Sequence, residues 1–205
     1  MPLPVAAPAD PSTPPRLARR AVLGGGLALL ALALLPPGAA QAGPVEVLRV
    51  AAHRASDGVY VDLETRFDLP ASVEEALLKG VALHFTAEAA LRRPRWYWRD
   101  ADVARAVRTW RLNYQPLTQN YRVSFGGLSQ TYTSLREALH AVQYCGQWRI
   151  AEPLPSDDDA RYYVEVSYRL DTSQLPRPLQ IGLGSQPEWN LVAERTILVG
   201  NGHGR

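Results

Sequence analysis

The densest run of chemistry-bearing side chains lies between Arg92 and Arg111. It holds seven arginines (92, 93, 95, 99, 105, 108 and 111) and three tryptophans (96, 98 and 110). Guanidinium groups beside aromatic rings can stack on planar ligands and grip carboxylates or phosphates bidentately. On a strand over 95–99, Trp96 and Trp98 would face one way and Arg95, Tyr97 and Arg99 the other. The candidate ligand or partner patch is therefore Arg95, Trp96, Trp98, Arg99, Arg108, Trp110 and Arg111. The competing reading makes the tryptophans core and pairs the arginines with Asp100, Asp102 and other carboxylates. The chain has one lysine, Lys79, against 21 arginines, so arginine is its default cation and an arginine cluster weighs less.

Other chemistry is thinly represented. His53, His84, His140 and His203 show no local metal-ligand spacing. His84 alternates with Val81, Leu83 and Phe85 and is expected on the wet face. Asp157-Asp158-Asp159 lacks the alternating acidic positions and central glycine of a calcium loop. Asp62 and Glu64 share a strand face as a glycosidase pair might require, but Arg66 continues that face and suggests ion pairing. Gly182-Leu183-Gly184-Ser185 breaks the nucleophile-elbow pattern, and Gly126-Gly127-Leu128 reads as a turn without the helix of a phosphate cradle. Cys145, the only cysteine, reads as a small buried residue and allows no internal disulfide. No catalytic residue, metal or cofactor is predicted, and the expectation is not an enzyme.

Upstream of these residues the chain carries a leader. Arg16, Arg19 and Arg20 precede an uncharged run from Ala21 to Leu35, followed by Pro36-Pro37-Gly38-Ala39-Ala40-Gln41-Ala42. Basic segment, short apolar run and small-x-small site make a signal peptide over 1–42 with cleavage after Ala42. The 15-residue run falls short of the roughly 20 residues of a spanning helix, so membrane attachment is expected only through an uncleaved signal. Arg19-Arg20-Ala21-Val22-Leu23 also resembles a twin-arginine signal, and both export routes stay open. The leader removes three of 22 basic and one of 20 acidic residues, leaving 19 of each. A chain of zero net charge gives no global attraction to nucleic acid or anionic membrane, and no nucleic-acid partner is predicted.

The elements that position these residues follow from period-2 alternation. Val59, Val61, Leu63, Thr65 and Phe67 share one face, as do Tyr162, Val164, Val166, Tyr168 and Leu170. Tyr121, Val123 and Phe125, and Val81, Leu83 and Phe85, repeat the pattern. Further strands are predicted over Val45–His53, Arg95–Arg99, Ala104–Tyr114, Leu179–Leu183 and Asn190–Val199. Asp57-Gly58 marks a hairpin turn, and Tyr114–Asn120 marks another hairpin loop. Ser72-x-x-Glu75 and Ser134-x-x-Glu137 have the capping-box form, with Gly80 and Gly146 at the expected C-caps. Val73, Ala76 and Leu77, then Leu135, Leu139 and Val142, give the two helices apolar stripes. The reading is mainly β: one domain over 43–205, an antiparallel β-sandwich or curved sheet of about nine short strands with two short capping helices.

Trp96-Tyr97-Trp98-Arg99-Asp100, Trp110-Arg111-Leu112-Asn113-Tyr114-Gln115-Pro116-Leu117-Thr118 and Tyr121-Arg122-Val123 together resemble the central signature of an exported proteobacterial family known as DUF4390. The likeness continues through Ser134–Val142 and covers most of residues 45–200. It implies an envelope protein of a Gram-negative bacterium, with no activity, cofactor or catalytic residue to carry over. Members are often encoded beside a membrane sensor kinase, which implies envelope signalling by association. The expected function is that of a periplasmic, non-enzymatic module binding an envelope protein or an anionic envelope component such as a phospholipid headgroup. The alternative is a carrier holding a small apolar or amphipathic ligand between the sheet and the helices. Oligomeric state is not legible in the sequence.

Overall fold

Val59, Val61, Leu63, Thr65 and Phe67 are all buried, as are Tyr162, Val164, Val166, Tyr168 and Leu170. One-sided alternation has become one-sided burial, the mark of strands with a dry and a wet face. The computed structural model describes residues 45–97, 99–155, 161–177, 180 and 186–200. The strands are β1 (Glu46–Ala55), β2 (Gly58–Arg66), β3 (Leu83–Arg93), β4 (Ala101–Gln115), β5 (Asn120–Phe125), β6 (Leu128–Tyr132), β7 (Tyr144–Ala151), β8 (Tyr163–Leu170) and β9 (Val192–Gly200). Helix α1 (Ala71–Leu78) follows β2, and α2 (Leu135–Gln143) follows β6.

The strands form one sheet in the order β6-β5-β4-β3-β8-β9-β1-β2-β7. The protein is therefore mainly β, and of the two predicted forms it takes the curled sheet, a half-barrel, over the sandwich. Neighbours pair antiparallel except β1 and β9, which run parallel and register, among the described residues, through Ala52↔Val199 and His53↔Gly200. The curl brings edge strand β7 over the inner face of β4. There Arg108 Nη1 donates to Cys145 Sγ at 3.1 Å, and the guanidinium lies 5.4 Å from the Trp148 ring.

An aromatic cluster fills the concave side. Phe85 sits 5.4 Å from Phe67 and 6.2 Å from Tyr168, and Trp110 sits 6.3 Å from Tyr168. Tyr168 is fully buried and donates its hydroxyl to the Val142 carbonyl at 3.0 Å, tying α2 to the core. Burial in this cluster disfavours the phenolate and pushes the Tyr168 hydroxyl well above its ordinary pKa. Of the predicted helix stripes, Val73, Ala76, Leu77, Leu139 and Val142 are buried in the core, and Leu135 is half-buried against it.

Several expectations need correction. Of the predicted strand 95–99, residues 95–97 and 99 are not in a strand but in the turn joining β3 to β4. Two strands, β6 and β7, were not foreseen, and Leu179–Leu183 falls almost wholly outside the described residues. Ser72 does not cap α1: Pro70 is the N-cap, and the Ser72 hydroxyl donates to Glu188 at 2.6 Å. Ser134 does cap α2, accepting from the Glu137 N–H at 3.3 Å. Gly80, at φ +89°, closes α1 with paired bonds from Gly80 N to the Leu77 carbonyl and from Val81 N to the Ala76 carbonyl. Gly146 caps nothing, because α2 passes directly into β7 and Gly146 lies within that strand.

Candidate interaction surface

Residues 94–97 and 99–100 lie in the turn at the end of the β3–β4 hairpin. Its base is tied down by one carboxylate. Asp100 accepts the Tyr163 hydroxyl through Oδ2 at 2.5 Å and the Arg95 backbone N–H through Oδ1 at 3.2 Å. The first bond staples the turn to β8 and the second closes the turn on itself. The Tyr163 bond, with the Arg95 N–H, holds the Asp100 carboxyl below its ordinary pKa. The same bond pushes the Tyr163 phenol up to about 12.

On this anchored base the aromatic residues project into solvent. Trp96 is 93% exposed and Tyr97 68% exposed. Their rings pack edge to face at 4.9 Å, so they present a single knob. Arg95 and Arg99 flank them, both exposed, and neither has a carboxylate at ion-pair distance among the described residues. Arg92, one strand residue inward, is already matched by Asp102 at 3.0 Å and Glu165 at 2.7 Å.

The seven predicted patch residues do not form one surface. Arg95, Trp96 and Arg99 belong to the turn, while Trp98 lies outside the described residues. Arg108 is seven residues into β4, about 24 Å along the strand at about 3.4 Å per residue. It points to the concave side, 4.8 Å from the Phe125 ring and over Cys145. Trp110 shares that face and is core, 5% exposed. Arg111 points to the opposite, outer face, where it depresses the pKa of His84, already lowered by burial. The sequence-level choice between patch and core was thus a false alternative: the cluster is both, divided by strand position and by alternation.

Two expectations for single groups also change. His84 is half-buried rather than exposed, and its Nδ1 is buried without a hydrogen-bond partner. Asp62 accepts the Gln147 N–H at 2.8 Å, where two β7 residues oppose one on β2 in a bulge, so this carboxylate has a structural task. Cys145 is buried, and burial raises its thiol pKa against the opposing pull of Arg108. The Asp157–Asp159 run and His203 lie outside the described residues. Among the described residues no three of His, Cys, Asp and Glu converge, and no helix is long and apolar enough to cross a membrane.

A recess lies between the helices. About 370 Å³ is bounded by Phe67, Leu69, Leu135 and Leu139, with Arg66 and Arg136 at its polar parts. Tyr97, the Tyr163–Asp100 clamp and the Arg108–Cys145 contact were not singled out in the sequence. For Tyr97, placement in the Trp-Tyr-Trp triplet was the available signal; for the other two, pairing across strands left none.

The architecture defines a class: a small curled-sheet protein with an anchored aromatic turn. The family model Domain of unknown function (DUF4390) matches residues 42–198, and the chain belongs to that family. Comparisons with curated proteins and with solved structures return no match.

Proposed function

We propose that the protein is an exported, non-enzymatic binding module of the cell envelope whose contact surface is the β3–β4 turn. The reading is carried by one observation: a tryptophan 93% exposed on a turn whose base is fixed by Asp100. Exposing a large aromatic costs solubility, whereas a fixed aromatic loses little entropy when something covers it. The arginine-flanked apolar leader supports export to the periplasm.

The test is a photo-reactive amino acid placed at position 97 in living cells. An adduct is expected, and it should disappear when Trp96→Ala is added. Absence of any protein or lipid adduct from a folded, expressed protein sinks the reading. Cell fractionation with N-terminal sequencing checks export, with a chain starting at Gly43 in the periplasmic fraction as the expected result.

The recess between α1 and α2 favours a second reading, carriage of a small amphipathic ligand. Its volume of about 370 Å³ lies within the range of small-molecule sites. A reproducible extra mass that leaves on unfolding, seen by native mass spectrometry, would support it.

A further inference from the structure

We infer that the β3–β4 turn docks the protein on an anionic lipid bilayer, with Trp96 and Tyr97 entering the interface and Arg95 and Arg99 resting on the headgroups. This deepens the binding-module reading and rests on it. Shape is the first argument. The turn presents Trp96 and Tyr97 as exposed, mutually packed rings, and these offer at most about 150–250 Å² each. A stable protein interface buries about 800 Å² per partner, so the knob alone is too small for one. A bilayer needs no matching concavity, because lipids close around whatever enters.

Chemistry is the second argument. Tryptophan and tyrosine favour the headgroup level, where an apolar ring body and a polar edge are both satisfied. Arg95 and Arg99 lack carboxylate partners among the described residues, leaving two planar donors free for phosphate oxygens. Leu198 on β9 is 69% exposed and is the cross-strand partner of Tyr163, the residue that anchors the turn. It adds an apolar shoulder below the knob. The zero net charge of the chain after the leader does not oppose this, since the attraction is local and decays within about 8 Å at physiological salt.

Topology gives the docking a direction. The turn, the start of β8 and the end of β9 lie at one end of the sheet, whereas β1 begins at the other. The surface is therefore remote from the point where the leader joins the fold.

The experiment uses the chain as purified from cells, its N-terminus fixed by mass spectrometry. Vesicles of phosphatidylethanolamine and phosphatidylglycerol are compared with phosphatidylcholine alone, both containing brominated lipid to quench inserted tryptophan. Quenching is expected on the anionic vesicles, fading with added salt and largely lost in Trp96→Phe. Arg95→Ala with Arg99→Ala should weaken partitioning about 30-fold, from about 1 kcal/mol per arginine near an anionic surface. Trp96→Ala should weaken it about tenfold or more through lost apolar area. Circular dichroism verifies that each variant is folded. If the folded wild type shows no Trp96 quenching on anionic vesicles, the lipid inference falls. If position 97 then still cross-links to one protein in cells, the binding-module reading survives with a protein partner. If it cross-links to nothing, both fall.

Discussion

Asp100 carries more of the surface than its size suggests, because it holds the turn from two sides. Tyr163 is raised toward 12, so its bond stabilises the fold fully below pH 10, the ordinary phenol value, and that contribution is lost as pH rises from 10 to 12. Asp100 is lowered, so its contribution is present above the ordinary value of 3.8 and is lost as pH falls through the depressed one. Phenolate absorbance should therefore show, besides the buried Tyr168, a tyrosine titrating near 12 that returns toward 10 in Asp100→Asn. A tyrosine titration in Asp100→Asn that matches the wild type's would refute the clamp. At this scale the sequence was half legible. The Trp-Tyr-Trp triplet between arginines stood out, but alternation placed it on a strand, whereas Asp100 and Pro94 end the strands on either side. Asp102 was rightly read as a partner for the arginines, and Arg92 takes it, but the second partner was out of reach, since Glu165 lies 73 positions from Arg92.

Elements were legible where one face is dry. Strands β2 and β8 were read with their buried faces correct, because alternation there reports burial directly. Strand β6 was missed because Leu128 to Thr131 are all exposed, so the core imposes no period on it. Strand β7 was missed because α2 enters it without a break, and Gly146 resembles a helix stop. The two capping boxes make this scale testable. Ser134→Ala should cost about 1 kcal/mol in urea unfolding, since it removes a real N-cap. Ser72→Ala should change stability by less than about 0.5 kcal/mol, because its hydroxyl serves an exposed bond to Glu188. Gly80→Ala should cost about 1–2 kcal/mol, the penalty of a left-handed conformation for a residue with a Cβ. Equal losses from both serines would mean that α1 is capped after all.

Across the whole molecule, the composition of the fold was readable and its connectivity was not. Strand number follows from local pattern, but strand order depends on which edges meet, and nothing local reports that β9 inserts between β8 and β1. The aromatic cluster then links parts distant in sequence. Tyr168→Phe should cost about 1–3 kcal/mol by denaturant unfolding, since it leaves the Val142 carbonyl without its buried donor. An unchanged midpoint would show that α2 is held by apolar packing alone.

The position of β9 also governs timing. Strand β1 is synthesised first among the nine and must wait for the last one to cover its free edge; β8 waits for it too. Until Val192–Gly200 has emerged, β8 and β1 add two open edges to those of β6 and β7, and such edges invite pairing with other chains. A chain cut short before Val192 should therefore precipitate rather than fold. In the intact chain, the sheet can be completed only after the last segment has arrived on the same side of any membrane as the first.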